Sequence, residues 1–237
     1  MSLITNTGEH GLLVAVDGPA GAGKSTVCRA VAKRLEAKYL DTGAMYRVAT
    51  LYVLQQGVAL ADTQKVIELT HTLPLTINDD PYSREVLLDG HDVSELIRTP
   101  EINKNVSAVS AIAQVRTNLV HKQRELAKEA GRCILDGRDI GTHVLPDAPA
   151  KFFLTASPEV RAQRRYEQER AQGIETDYAL VLADVLRRDE LDTNRAISPL
   201  RPAQDAIIVD SSALSLEQVI DTLITLIEKQ AGRTTHE

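Results

Sequence analysis

The stretch Gly18-Pro19-Ala20-Gly21-Ala22-Gly23-Lys24-Ser25 decides the fold. It satisfies the pattern G-x-x-x-x-G-K-[ST], follows the apolar run Leu12 to Val16 and opens onto an amphipathic stretch, so the local order is strand, loop, helix. Glycine admits backbone angles closed to other residues, which lets successive N–H groups converge on phosphate oxygens. A helix starting at the end of the loop adds its positive pole to the same point. In that geometry Lys24 reaches the outer phosphates of a nucleotide and the Ser25 hydroxyl ligates Mg²⁺. A glycine-rich turn that binds nothing is the bland alternative, and it leaves the full register and both flanks unexplained. The loop specifies phosphate but no reaction.

Working outward, Val27, Val31 and Leu35 recur at helical spacing over Ser25 to Ala37, and Tyr39-Leu40-Asp41 reads as a second short strand. Ala44 to Gln56 reads as a helix with Gly57 in the C′ position. Buried-strand patterns return at Arg132 to Leu135, Ala150 to Leu154 and Ile207 to Asp210, separated by helical patterns at Pro158 to Gln172, Tyr178 to Asp192 and Ser215 to Ala231. Strands alternating with helices over short connections predict an α/β fold, a parallel sheet covered on both faces in three layers. Ligands of such sheets sit at the carboxyl ends of strands, where Asp17, Thr42 and Asp136 fall. One β-rich piece interrupts the alternation: Leu75 to Asn78, Glu85 to Leu88 and His91 to Val93, with Asp89-Gly90 as a hairpin signal. It reads as an insertion. Glu101 to Ala113 and Gln114 to Ala130 follow as one broken or two consecutive helices, and Thr142 to Pro149 reads as loop.

The 237 residues carry a formal net charge of −6, and aromatics make up 3% of the chain with no Trp. An acidic, aromatic-poor surface excludes a general nucleic-acid binder, so any polyanionic ligand needs a local cluster of Arg and Lys. Cys28 and Cys133 lack metal-ligand spacing and fall in apolar surroundings, the pattern of buried free thiols. No run has the length of a membrane span, and Met1 to Gly11 lacks the signal-peptide pattern. These features predict a cytoplasmic protein with no membrane partner.

Four further clusters carry charge near strand ends: Thr42-Gly43-x-x-Tyr46-Arg47; Asp136-Gly137-Arg138-Asp139; Arg161, Arg164 and Arg165; and Arg188, Asp192 and Arg195. Each has a plainer reading. The Arg161 group also fits a solvated helix face with ion pairs, Asp210 fits a cap for the turn at Ser211-Ser212, and Tyr46 alone fits a packing residue. Asp136, following a buried run in a phosphate-loop protein, fits an acidic group near Mg²⁺. Phosphoryl transfer asks a protein for positioning and charge stabilisation, and planar guanidinium pairs well with phosphate oxygens. A loop, one Mg²⁺ and several arginines suffice for kinase chemistry, with no dedicated base when the acceptor is itself an anionic phosphate.

Asp17 to Thr26 (DGPAGAGKST), Leu40 to Arg47 (LDTGAMYR), Leu135 to Thr142 (LDGRDIGT) and Arg187 to Pro199 (RRDELDTNRAISP) together resemble the bacterial cytidylate kinases, from about Leu12 to about Ile227. The resemblance implies transfer of the ATP γ-phosphate to CMP or dCMP by a monomer. It implies ATP contacts from the loop residues Gly18, Pro19, Ala20, Gly21, Ala22, Gly23, Lys24, Ser25 and Thr26, with Mg²⁺ on Ser25 and, through water, Asp136. Ser25-Thr26 stands where Gly-Thr is often seen. Thr42, Arg47, Arg138, Asp192 and Arg195 match acceptor-nucleotide positions, while Ser107, Arg116 and Asp139 match those associated with cytosine. A carboxylate and an arginine complement the N4 donor and the N3/O2 acceptors of that base. Arg161, Arg164, Arg165 and Arg188 match a mobile lid over ATP. The resemblance divides a single domain into a core (12–60, 131–156 and 205–231), a monophosphate-binding insertion with its following helices (61–130) and a lid (157–198).

Two other functions stand beside this one. A kinase for another acceptor, such as UMP or a small metabolite, differs in the residues at Ser107, Arg116 and Asp139. A nucleotide switch without transfer activity would carry Asn-Lys-x-Asp, and the nearest string, Asn103-Lys104-Asn105-Val106, lacks the Asp.

Overall fold

A computed structural model describes residues 11–233. The N-terminal extension through residue 10 and the polar tail beyond 233 lie outside the described residues. β1 (Leu13–Asp17) is the middle strand of a five-stranded parallel sheet. With β2 (Lys38–Asp41), β6 (Cys133–Gly137), β7 (Ala150–Thr155) and β8 (Ile207–Asp210), the order is β2-β6-β1-β7-β8. The ladders run Leu13 to Cys133 through Asp17 to Gly137 on one side of β1, and Val14 to Ala150 through Asp17 to Phe153 on the other.

Alternate residues of β1 face opposite layers. Val14 and Val16 join one core with Val27 and Val31 of α1 (Lys24–Arg34) and with Val219, Ile220 and Leu223 of α8 (Leu216–Arg233). Ala15 joins the other core with Leu40, Leu135 and Val120, the last on α5 (Ala113–Ala130). Both faces of the sheet are therefore dry, which explains the unbroken apolar runs of its strands.

The interruption in the chain is a second sheet of three antiparallel strands, β3 (Leu75–Ile77), β4 (Val86–Leu88) and β5 (His91–Asp92). Asp89 and Gly90 take φ of 50° and 75°, the geometry of the two-residue hairpin that Asp-Gly signals. Val86, Leu88 and Val93 pack on Val48 and Leu51 of α2 (Thr42–Gln55), and Met45, Ala49 and Val53 of the same helix pack on Val66 of α3 (Thr63–His71) and Val106 and Val109 of α4 (Pro100–Ser110). α2 thus shares its core with the inserted elements. The β3–β4 connection is pinned to the main sheet. Asp79 O accepts from Tyr39 N (2.9 Å), Arg29 of α1 donates to Pro81 O and Ser83 O, and Lys33 lies 4.5 Å over the Tyr82 ring.

Gly57 (φ 66°) just past α2 and Asp210, which accepts from Ser212 N at 2.8 Å, act as read from sequence. Asp62 caps α3 through Lys65 N. Of the two alternatives left open for the stretch after the insertion, α4 and α5 are two consecutive helices, broken at Ile112, whose backbone is extended (ψ 119°). One stretch differs from the sequence reading. The start of the loop read over Thr142 to Pro149 is drawn into one wide turn at Ile140–Val144, closed by Val144 N to Asp139 O and Leu145 N to Ile140 O. Such wide turns have no short sequence signature and recur at functional sites. α6 (Pro158–Ala171), capped by Ser157, and α7 (Tyr178–Thr193) form a helical hairpin around Ala162, Val181 and Val185. Among the described residues no helix is long and apolar enough to cross a membrane.

Candidate active site

The phosphate loop bridges β1 and α1, and α1 begins at Lys24 with Gly23 in a left-handed conformation before it. Lys24 Nζ lies 2.8 Å from both Gly18 O and Pro19 O, so its charge is held over the loop. Burial, and then Arg138, lower its pKa. Ser25 Oγ donates to Asp136 Oδ2 at 2.8 Å. Burial, and then the Asp41 carboxylate, raise the pKa of Asp136. A hydroxyl and a buried, anion-crowded carboxylate at the end of β6 are hard oxygen donors of the kind Mg²⁺ takes, so Ser25 and Asp136 fit the ion.

The turn after β6 carries the next two site residues. Gly137 cannot be replaced without repacking, because a Cβ there would lie 2.7 Å from Thr42 Oγ1 and from Ile140 Cδ1. Thr42 Oγ1 is engaged with Asp136 O at 2.7 Å, and Asp17 clamps the turn from below by accepting from Ile140 N (2.7 Å) and Gly141 N (2.8 Å). Arg124 of α5 ties the far side, donating to Val144 O (2.8 Å) and His143 O (2.7 Å).

Held this way, Arg138 and Asp139 point into two different groups. Arg138 Nε bonds Asp192 Oδ2 at 3.0 Å. Burial raises the Asp192 carboxyl, but Arg138, Arg188 and Arg195 outweigh it and hold the group below the usual carboxylate range. Arg47 is lowered by burial and then by Arg188, Arg98 and Arg138, and its Nη1 is seated on Ile97 O (2.9 Å) and Asn103 Oδ1 (2.7 Å). Arg188 Nε is buried without a hydrogen-bond partner. Arg47 and Arg188, lowered by burial and then by neighbouring guanidinium groups, form with Arg138 and Asp192 a positive cluster whose chemistry suits an anion.

Asp139 instead forms a buried ion pair with Arg116, the two side chains 5% and 3% exposed. Arg116 Nη1 also donates to Ser110 O (3.2 Å), and its guanidinium lies 5.1 Å from the centre of the Tyr46 ring. Ser107 is half-buried one turn before Ser110. Arg195 lies just beyond α7, donates to Ile197 O and Ser198 O, and is lowered by burial and then by Arg116.

Three arginines of α6, Arg161, Arg164 and Arg165, do three different things. Arg161 is 2% exposed and fully bonded: Nε to Ala156 O (2.9 Å), Nη1 to Ala20 O (3.1 Å), and both Nη atoms to Asp189 of α7 (2.9 and 2.6 Å). It lies so close under the phosphate loop that a Cβ on Gly21 (φ 77°) would meet its Cβ at 3.2 Å. Arg164 donates to Ser211 O at 2.8 Å, and Arg165 bonds Glu169 and Asp184 in the manner of the solvated face read from sequence. A cavity of about 410 Å³ adjoins the loop here, lined by Pro19, Thr155, Ser157, Arg161, Asp189 and Asp210 among others.

Residues 14–229 match the family model described as "Cytidylate kinase". The chain belongs to the cytidylate kinase family. It is 67% identical over 226 residues to the cytidylate kinase of Corynebacterium diphtheriae, covering 95% of this chain and 98% of that one. The cytidylate kinase of Desulforamulus reducens is 50% identical over 216 residues, covering 91% and 96%. Among solved structures, an uncharacterised protein from Eubacterium ventriosum superposes with a TM-score of 0.53 at 12% identity, over 92% of this chain and 98% of that one, a likeness of fold alone. Against the family reading, the structure brings Arg47, Arg138, Arg188 and Asp192 together, and Arg116, Asp139 and Arg195 into a second group. Sequence reasoning gave no role to Asp17, Asp41 or Asp189. Of these, Asp17 and Asp41 carried a signal, their places at strand ends, and Asp189 carried none.

Proposed function

We propose that this member of the cytidylate kinase family transfers the γ-phosphoryl group of ATP to CMP and dCMP, giving ADP and the corresponding diphosphate. One observation carries the reading. Arg138 reaches both neighbourhoods at once, lying close enough to Lys24 to depress it while bonding Asp192 in the arginine cluster. Donor and acceptor phosphates thus share one positively charged boundary.

On this reading residues Gly18 to Thr26 hold the ATP phosphates, with Lys24 turning from the loop carbonyls to phosphate oxygens. Ser25 and, through water, Asp136 hold Mg²⁺, which when bound neutralises charge on the phosphate oxygens. Arg47, Arg138 and Arg195 hold the acceptor's phosphate, and Asp192 and Thr42 face its sugar; Arg188, a lid residue in the sequence reading, lies beside Arg138 and Asp192 and reaches the transferred group from there. Arg116, Asp139 and Ser107 read cytosine, the carboxylate accepting from N4. An acceptor oxygen attacks the γ-phosphorus in line while the bond to the β-phosphate oxygen breaks, and the lid arginines take up charge on the moving group. Arg164 and Arg165 approach the nucleotide by closure of α6 and α7, whereas Arg161 acts through the loop it braces. The division into core (12–60, 131–156, 205–231), insertion (61–130) and lid (157–198), a monomeric state and a cytoplasmic location belong to the same proposal.

The test is ADP production from ATP and Mg²⁺ with CMP, dCMP, UMP and AMP in turn. CMP and dCMP are expected to exceed UMP because Asp139 prefers an amino group to a carbonyl. Equal rates with CMP and UMP would overturn the base assignment.

A further inference from the structure

Behind the Arg116–Asp139 pair lies a buried polar cluster that the roles above do not use. Gln123 follows Arg116 by two turns on the same face of α5, and helical side chains lean toward the N-terminus, which aims its amide at the turn that carries Arg116. Gln123 is 1% exposed, yet neither Oε1 nor Nε2 has a hydrogen-bond partner. The Tyr46 hydroxyl and Arg116 Nε are buried and unpartnered as well. These atoms share one neighbourhood, since the Arg116 guanidinium lies over the Tyr46 ring and the Gln123 amide stands close enough to the Tyr46 hydroxyl to lower the pKa that burial raises, short of a well-formed bond.

Buried groups of this kind are nearly always paired, because an unpaired one costs stability. Their chemistry is complementary. The amide oxygen can accept from Arg116 Nε–H, and the amide nitrogen can donate to the Tyr46 oxygen. The terminal nitrogens of Arg116 are already committed to Asp139 and Ser110 O, so Nε is the atom left to steer the guanidinium plane.

We propose that Gln123 is a specificity-determining positioning residue: with the Tyr46 hydroxyl it sets the plane of the Arg116–Asp139 pair against the acceptor's base, and so sets the preference for cytosine over uracil. The proposal rests on the assignment of Arg116 and Asp139 to the base. Drawing the pair onto a matching base would tighten these contacts, so the matching base gains more from binding than its rival.

Gln123→Met keeps length and helix propensity and removes both polar atoms. The ratio of kcat/KM for CMP to that for UMP is expected to fall roughly tenfold, the effect of one hydrogen bond, through KM for CMP and with KM for ATP unchanged. Tm is expected to hold or rise, since two unpaired buried atoms are gone. An unchanged ratio overturns the proposal whatever happens to Tm. If Gln123→Met lowers Tm or does not fold, Tyr46→Phe decides, because it removes one oxygen only: a lowered CMP to UMP ratio supports the proposal and an unchanged one overturns it. Arg116→Met separates the two levels. Discrimination lost there but kept in Gln123→Met sinks this inference alone, and discrimination kept in Arg116→Met sinks the base assignment beneath it.

Discussion

Replacing Asp189 by Leu tests whether Arg161 braces the phosphate loop or serves as a free donor to ATP. The Arg161 side chain is 3% exposed and meets both carboxylate oxygens of Asp189, whose side chain is 25% exposed. Removing one partner of a fully buried pair costs about 3–5 kcal/mol, because the other charge is left without compensation. The partial exposure of Asp189 discounts this, as do the bonds Arg161 keeps to Ala20 O and Ala156 O, leaving about 2 kcal/mol. For a chain of this size that is a fall in Tm of roughly 4–8 °C. Arg161, no longer clamped by Asp189, holds the Ala20 carbonyl less firmly, so KM for ATP should rise with the loss of stability. The double variant Arg161→Met/Asp189→Leu should lose less stability than Asp189→Leu alone, since no buried charge is stranded. Thermal unfolding and ATP kinetics on the three proteins provide the check. An Asp189→Leu protein that keeps its Tm and binds ATP as well or better would refute the reasoning, and would show that Asp189 merely sequesters a nucleotide ligand.

Lys24→Met should lower turnover by about 10²–10³-fold with little change in Tm, because its folded contacts are two loop carbonyls; steady-state kinetics beside a melting curve separate the effects. Cys28 and Cys133 are buried, and burial pushes the first thiol well up and the second to about 12, so a thiol-reactive dye at pH 8 should label neither until the chain is unfolded in urea. Burial pushes the Asp17 carboxyl up to about 6 against the two N–H bonds that lower it, so the folded chain keeps a proton that the unfolded chain, with its ordinary value of 3.8, has released. Stability from this group is therefore present below about pH 4 and lost as pH rises to about 6. Urea titrations across that window should show the decline in the natural protein and a flatter curve in Asp17→Asn; parallel curves would contradict the assignment.

What was legible in the sequence was written locally. Gly18 to Ser25 carries its own loop geometry, Asp89-Gly90 its own hairpin, and the apolar runs at β1, β6 and β7 declare strands buried on both faces. Long-range pairings were not written that way. Asp17 is 123 residues from the Ile140 N–H it clamps, and no spacing rule joins them. Arg161 shares one helical stripe with Arg164 and Arg165, yet it is sealed because Asp189 returns on the next helix, a consequence of how α6 and α7 fold together. The unpaired amide of Gln123 is equally silent, because in sequence it is one polar residue in a polar helix.

The pinning of the β3–β4 connection to α1 and β2 has a consequence for attempts to shorten the chain. β2 has a strand neighbour on one side only, β6, and on its open side Asp79 takes the Tyr39 N–H while Lys38 pairs with the Asp79 carboxylate. Excision of the insertion would bare that margin, a row of amide and carbonyl groups able to recruit a strand from another molecule. A minimised protein keeping the phosphate loop and the parallel sheet intact would then tend to polymerise edge to edge. The segment through residues 79–84 thus doubles as a guard of solubility, and a trimmed version would need a lysine or proline set into β2 to replace it.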